Sequence, residues 1–119
     1  VEAFMKEYHS NSGTQDGMGF LYWQMPESCI VKTLVYEDKG NPGGIYFEAI
    51  QTFPPECEEK GYASEVMKKI TTLADKHDVV MRSIIKPFGS ERVEKGDLMK
   101  WYSSVGFVKA GKGIIREPK

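Results

Sequence analysis

The spacing of hydrophobic positions changes period part-way along the chain. Over residues 45–53, IYFEAIQTF, apolar and polar side chains alternate: Ile45, Phe47, Ala49 and Phe53 fall on one side, Tyr46, Glu48, Ile50 and Thr52 on the other. That is the pattern of a β-strand. From residue 63 the spacing becomes i, i+3, i+4, i+7, through Ala63, Val66, Met67, Ile70, Leu73 and Ala74, which predicts a helix with one buried stripe. Pro54 and Pro55 separate the two; lacking N–H donors they must end sheet pairing, and the strand is expected to splay from a parallel neighbour there. A strand that feeds a glycine turn at a helix N-terminus gathers several N–H groups and the positive end of the macrodipole at one spot, where an anion can bind. Gly61 would let a phosphate reach that backbone. Taken alone, the pattern fits an ordinary strand–helix connection equally well.

The flanking segments extend this unit into an α/β (α+β) fold. Residues 1–10 suit a short helix using Ala3, Phe4 and Tyr8, and residues 11–19 are turn-rich. Residues 19–25 and 29–36 are aromatic and β-branched, predicting an antiparallel hairpin that residues 45–53 extend into a three-stranded meander. After the helix, residues 79–86 read as a parallel strand reached by a right-handed crossover. A loop over 86–96, a second helix over 97–105 stopped by Gly106, and two final strands around residues 110–113 complete the reading.

Composition narrows the class. The chain has 119 residues, 40% hydrophobic and 28% charged, which predicts one globular domain. It holds no apolar run of the roughly 20 residues that span a bilayer and no leader pattern, so no membrane partner is expected. Two cysteines, Cys29 and Cys57, make neither a disulfide framework nor a metal array; reduced thiols, a cytoplasmic location and no metal are the simplest expectation. The net charge of -1 conceals a split, with ten acids against three lysines in residues 1–59 and thirteen bases against seven acids thereafter. No basic stripe interleaves with aromatics, which argues against nucleic acid.

Two motifs resemble those of the GNAT superfamily of acyl-CoA-dependent N-acyltransferases. The family's pyrophosphate loop, [Q/R]-x-x-G-x-[G/A], corresponds to Glu58-Glu59-Lys60-Gly61-Tyr62-Ala63 at the start of the main helix. A second signature, an aromatic or aliphatic residue, Tyr, three residues and Gly-Phe, corresponds to Trp101-Tyr102-Ser103-Ser104-Val105-Gly106-Phe107. The resemblance covers about residues 20–117 and is strongest over 53–73 and 98–108. Two positions depart from it. Glu58 stands where the family favours Gln or Arg, and Lys95 where it commonly has Asn. Inward-facing carboxylates would oppose a pyrophosphate; the amides from Lys60 to Ser64 can hold one without side chains.

The resemblance implies a GNAT-like mixed sheet with a splayed central pair of parallel strands. It also implies direct acetyl transfer from acetyl-CoA to a primary amine on a small molecule or a protein, with room for a homodimer. On that reading Glu58, Glu59, Lys60, Gly61, Tyr62, Ala63, Ser64 and Lys95 hold coenzyme A. The strand around Ile50, Gln51 and Thr52 binds the pantetheine arm and offers an N–H to the thioester carbonyl. Tyr102 is then the general acid for the departing thiolate, against the alternative of a core aromatic with a satisfied hydroxyl. Glu48 is the foremost candidate base, ahead of Glu37 and Asp38, against the alternative of a solvated or lysine-paired carboxylate. His77 is expected at a helix C-terminus, and Cys57 is read as structural because the flanking Glu56, Glu58 and Glu59 would hold its thiol protonated. The acidic first half suggests a cationic acceptor. The competing readings are a catalytically inactive coenzyme A-binding or protein-interaction module, and a domain holding some other phosphate ligand.

Overall fold

In the computed structural model the described residues build a seven-stranded mixed sheet and three α-helices. Residues 1–10, 14–15, 19–84 and 95–119 are described, with the backbone alone at 14–15 and 95–97. In chain order the elements are α1 (Glu2–Ser10), β1 (Thr14–Gln15), β2 (Leu21–Gln24), β3 (Ile30–Glu37), β4 (Gly44–Phe53), α2 (Tyr62–Lys76), β5 (Val80–Ser83), α3 (Lys95–Ser104), β6 (Val108–Ala110) and β7 (Gly113–Arg116). Each expected element forms. The strand expected over 79–86 is Val80–Ser83, and its last two residues, like the turn at 11–13 and 16–18 and most of the loop before α3, lie outside the described residues.

The strand order is β1-β2-β3-β4-β5-β7-β6. All pairs are antiparallel except β4 with β5, which α2 joins by a crossover. α2 forms on its apolar stripe: Val66, Met67, Ile70, Leu73 and Ala74 are buried as the spacing requires, together with Thr71. Its last turn is capped by His77, whose Nε2 lies 3.0 Å from the Glu7 carboxylate of α1. α3 ends at Ser104; Gly106 just beyond it adopts φ +105, and the Phe107 amide donates to the Tyr102 carbonyl at 3.1 Å.

The alternation expected along β4 holds only to Phe47. Leu34 pairs with Ala49 but Val35 with Phe47, so Glu48 is the extra residue of a β-bulge. The bulge shifts the pleat by one position, and the buried set becomes Ile45, Phe47, Ile50 and Thr52 instead of Ile45, Phe47, Ala49 and Phe53.

One face of the sheet carries the core. Val31, Thr33, Val35, Ile45, Phe47, Met81, Ser83, Ile114 and Arg116 turn toward the helices and are buried. Thr33 anchors α1 there: its hydroxyl accepts from Trp23 Nε1 at 2.9 Å and lies 2.6 Å from the Tyr8 hydroxyl. Asp75 of α2 takes both terminal nitrogens of Arg116 on β7, at 2.9 and 3.0 Å. On the opposite face Lys32, Leu34, Tyr36, Tyr46, Gln51, Phe53 and Arg82 are exposed or half-buried, and no helix among the described residues covers them.

The cysteines are not free thiols. Cys29 and Cys57 form a disulfide, tying the start of β3 to the short turn Pro55–Cys57 that precedes α2. The pairing brings together residues 28 positions apart, which only the tertiary fold specifies, and it removes the thiol argument for a reducing compartment. No helix among the described residues is long and apolar enough to cross a membrane, and none of them form a group of three metal-ligating side chains.

Candidate active site

The site begins where two parallel strands part. β4 and β5 pair only at Gly44 with Val80, Ile45 with Met81 and Tyr46 with Arg82. The Ser83 hydroxyl then donates to the Phe47 carbonyl at 2.6 Å, closing the paired half. Beyond Phe47, β4 keeps its partner β3 as far as Phe53 but has no ladder partner on the β5 side among the described residues. The residues that would continue β5 beside Ile50 to Phe53 lie outside the described residues, and with them the splay expected at Pro54. Alternate residues of the segment holding Ile50, Gln51 and Thr52 turn N–H and C=O to the open edge. Ile50 and Thr52 lie on the core face, and Gln51 lies half-buried on the other.

The N-terminus of α2 lies beyond the end of β4. The helix ladder starts with the Glu65 amide donating to the Gly61 carbonyl at 3.1 Å, and no side chain caps the helix. The amides of Tyr62, Ala63 and Ser64 therefore precede the ladder and meet no backbone acceptor among the described residues. Gly61 sits at φ +81, which L-residues adopt at a cost, and a Cβ there would meet nothing within 4 Å. Glycine is demanded here by conformation, with open space in front of it. The cradle is narrower than expected: the Glu58 amide donates to Pro55 and the Lys60 amide to Cys57, within the turn. The Lys60 ammonium pairs with Glu27, which raises its pKa, and Glu59 is exposed. The Lys95 side chain lies outside the described residues.

α3 brings Tyr102 to the same place. Its ring stands edge-on to Phe47 at 6.5 Å and to Phe107 at 5.4 Å, and Phe47 is the residue at which the strands part. The side chain is fully buried and its hydroxyl has no hydrogen-bond partner among the described residues. A buried phenol without a hydrogen-bond partner costs roughly 1–3 kcal/mol. Burial pushes its pKa up to about 12, keeping the proton in place. The adjacent Trp101 donates from Nε1 to the Ser64 hydroxyl at 2.8 Å, joining α3 to the first turn of α2. Neither this tether nor the Ser83 bond was legible in the sequence, because each links residues more than thirty apart with no motif around them.

Glu48, the expected base, stands on the other face of the sheet. It accepts a hydrogen bond from the Tyr36 hydroxyl at 3.2 Å, and the Tyr36 ring stacks on Tyr46 at 5.5 Å. Partial burial first, and then the Glu48 carboxylate, push the Tyr36 phenol to about 12. Tyr102 and Glu48 thus flank β4 from opposite faces at the point where it leaves β5.

This arrangement has a counterpart among solved structures. Ard1 from Thermoplasma volcanium superposes with a TM-score of 0.59 over the whole of this chain and 80% of its own, at 13% identity. The fold is GNAT-like. The likeness at that identity concerns the fold, the mixed sheet and its helices. No protein-family model matches the chain. No curated protein matches it either.

Proposed function

We propose that the protein is an acetyl-CoA-dependent N-acetyltransferase acting on a primary amine. The observation that carries the reading is Tyr102: a buried, protonated, partnerless phenol packed against the residue where the two parallel strands separate. The space before Gly61 and the amides of Tyr62, Ala63 and Ser64 fit a diphosphate. The edge of β4 from Glu48 to Phe53, which has no ladder partner on the β5 side among the described residues, fits an extended amide-bearing arm.

In this mechanism the amine nitrogen attacks the thioester carbonyl, whose oxygen is met by a β4 amide from the Ile50 to Thr52 segment. The carbon–sulfur bond breaks, and Tyr102 gives its proton to the departing sulfur. The proton lost by the amine passes to Glu48, directly or through water, and from there to solvent. Tyr102 regains a proton from solvent, so the products are the amide and the free thiol.

Calorimetry with acetyl-CoA, followed by thiol release across an amine panel, tests the reading. Acetyl-CoA binding with turnover supports it; no binding of acetyl-CoA or coenzyme A rules it out. A competing reading, a binding module without catalysis, draws on the turn that engages the Glu58 and Lys60 amides and on Glu27 engaging Lys60. Binding without transfer to any amine would favour it.

A further inference from the structure

α2 and α3 meet at the candidate site through a pair of side chains. Trp101 of α3 donates from Nε1 to the Ser64 hydroxyl in the first turn of α2 at 2.8 Å, and its ring stands edge-on to that of Tyr102 at 5.0 Å. Trp101 therefore touches the anion-facing end of α2 on one side and the buried phenol on the other. A phenylalanine or an aliphatic residue in its place would fill the space but donate nothing. We propose that Trp101 is a positioning residue: it sets the Ser64 hydroxyl to donate to an anion bound before α2, and it ties Tyr102 to the arrival of that anion. The proposal rests on the acetyltransferase reading and adds to it a link between the hold on the cofactor and the proton donor.

Hydrogen-bond accounting gives Ser64 its direction. An indole can only donate, so Ser64 is the acceptor in this bond and its own proton is left for another partner. Among the described residues that proton meets no acceptor. Ser64 is the third residue of α2, and helical side chains lean toward the N-terminus, where the Tyr62, Ala63 and Ser64 amides precede the ladder. The amides and the hydroxyl proton together form a donor set for one anion, and hydrogen bonds to an ionised oxygen are the strong ones. Without Nε1 the hydroxyl is free to turn toward a backbone carbonyl, as Thr72 does with Lys68 further along α2 at 2.7 Å. Tyr102 enters through α3. Beyond the helix, Arg116 donates to the Val105 carbonyl and to Asp75 of α2, and before Tyr102 the Trp101–Ser64 bond makes a second anchor. Tyr102 lies between the two, its ring edge-on to Phe47 and Phe107. An anion that accepts from Ser64 polarises the Trp101–Ser64 bond and strengthens it, so α3 is held most firmly when the cofactor is in place.

The test is a double-mutant cycle. Trp101→Phe keeps the ring beside Tyr102 and removes the donor, and Ser64→Ala removes the acceptor. Calorimetry gives the acetyl-CoA Kd, and thiol release at saturating acetyl-CoA gives kcat. Ser64→Ala is expected to raise Kd about tenfold, through loss of a charge-assisted hydrogen bond, and Trp101→Phe about threefold. Each should also lower kcat by about fivefold. In Ser64→Ala protein, adding Trp101→Phe should change neither quantity by more than about twofold, because the two act through one bond. Ser64→Thr, which keeps the hydroxyl, should stay near wild type. An unchanged Kd or kcat in Trp101→Phe, or effects that multiply in the double variant, would overturn the proposal. A second readout uses the wild-type chain: the indole N–H resonance of Trp101, assigned by its proximity to Ser64. Acetyl-CoA and inorganic pyrophosphate should each move it and leave the Trp23 resonance in place. If no amine is acetylated, the transferase reading fails, and the link is judged by this resonance with pyrophosphate alone. A saturable shift then supports it, and a resonance that stays put overturns it.

Discussion

The two faces of the sheet hold different kinds of interaction. On the face toward the helices, polar groups are buried and committed: Thr33 to Tyr8 and Trp23, Arg116 to Asp75, and Ser83 to the Phe47 carbonyl. Tyr102 is buried there with no hydrogen-bond partner for its hydroxyl among the described residues. On the opposite face, polar and aromatic groups are paired loosely and within reach of solvent, as in the Tyr36–Tyr46 stack and Lys32 over Phe20 and Phe53. The contrast suggests a division of labour. Polar groups toward the helices are sealed in fixed pairings, and those on the other face keep contact with solvent.

The largest expected effect tests the exception. Tyr102→Phe should lower kcat by about 10²–10³-fold while leaving acetyl-CoA affinity nearly unchanged, since the ring and its packing stay. Stability should be equal or slightly higher, because an unpaired buried hydroxyl is removed. Denaturant midpoints and thiol-release kinetics check both halves. Because burial holds the phenol near 12, it should not titrate in a rate profile below about pH 11. The raised value also fixes a sign: burying the neutral phenol favours the fold fully below the ordinary tyrosine pKa of about 10, and this is lost as pH rises through about 12.

The disulfide comes next in size, and it shows where sequence reasoning stopped. Strand and helix positions were legible because periodicity and turn residues are local signals, as in the stripe from Val66 to Ala74. The site was legible only in outline. Gly61 and Tyr102 announced themselves by motif, whereas the Glu48 bulge depends on how β3 and β4 register and leaves no composition mark. Cys29 and Cys57 looked unrelated for the same reason. Closing a loop of 28 residues is worth about 3.5 kcal/mol by the chain-entropy model. Replacing both cysteines by alanine should lower stability by roughly that amount. The loss of acetyl-CoA affinity should exceed the change in kcat, because the bridge holds the turn before α2 and leaves Tyr102 alone.

On the sealed face, Asp75→Ala should cost about 3 kcal/mol, since it leaves the Arg116 guanidinium, 4% exposed, with only the Val105 carbonyl as partner. The Arg116 hydrogen bonds hold the Asp75 carboxyl below its ordinary value of 3.8. A depressed folded pKa stabilises the protein above the ordinary value and ceases to do so as pH falls through the folded one. Wild type and Asp75→Asn should therefore differ most at neutral pH and converge below about pH 4. Urea midpoints at pH 7 and pH 3 give the comparison.

The smallest effect belongs to the accessible face and bears most directly on whether that face is open. Lys32 lies 4.6 Å from the Phe20 centroid and 5.9 Å from that of Phe53, half-buried beside Gln51. Lys32→Met keeps the methylene stem over both rings and removes only the charge, so the expected cost is about 0.5 kcal/mol. Urea denaturation of the variant in low and high salt measures it. A solvated cation–π contact should weaken modestly with salt, because the ammonium is partly screened. A cost of about 2 kcal/mol or more, insensitive to salt, belongs to a desolvated charge. It would mean that the part of this face around Phe20 and Phe53 is covered in solution.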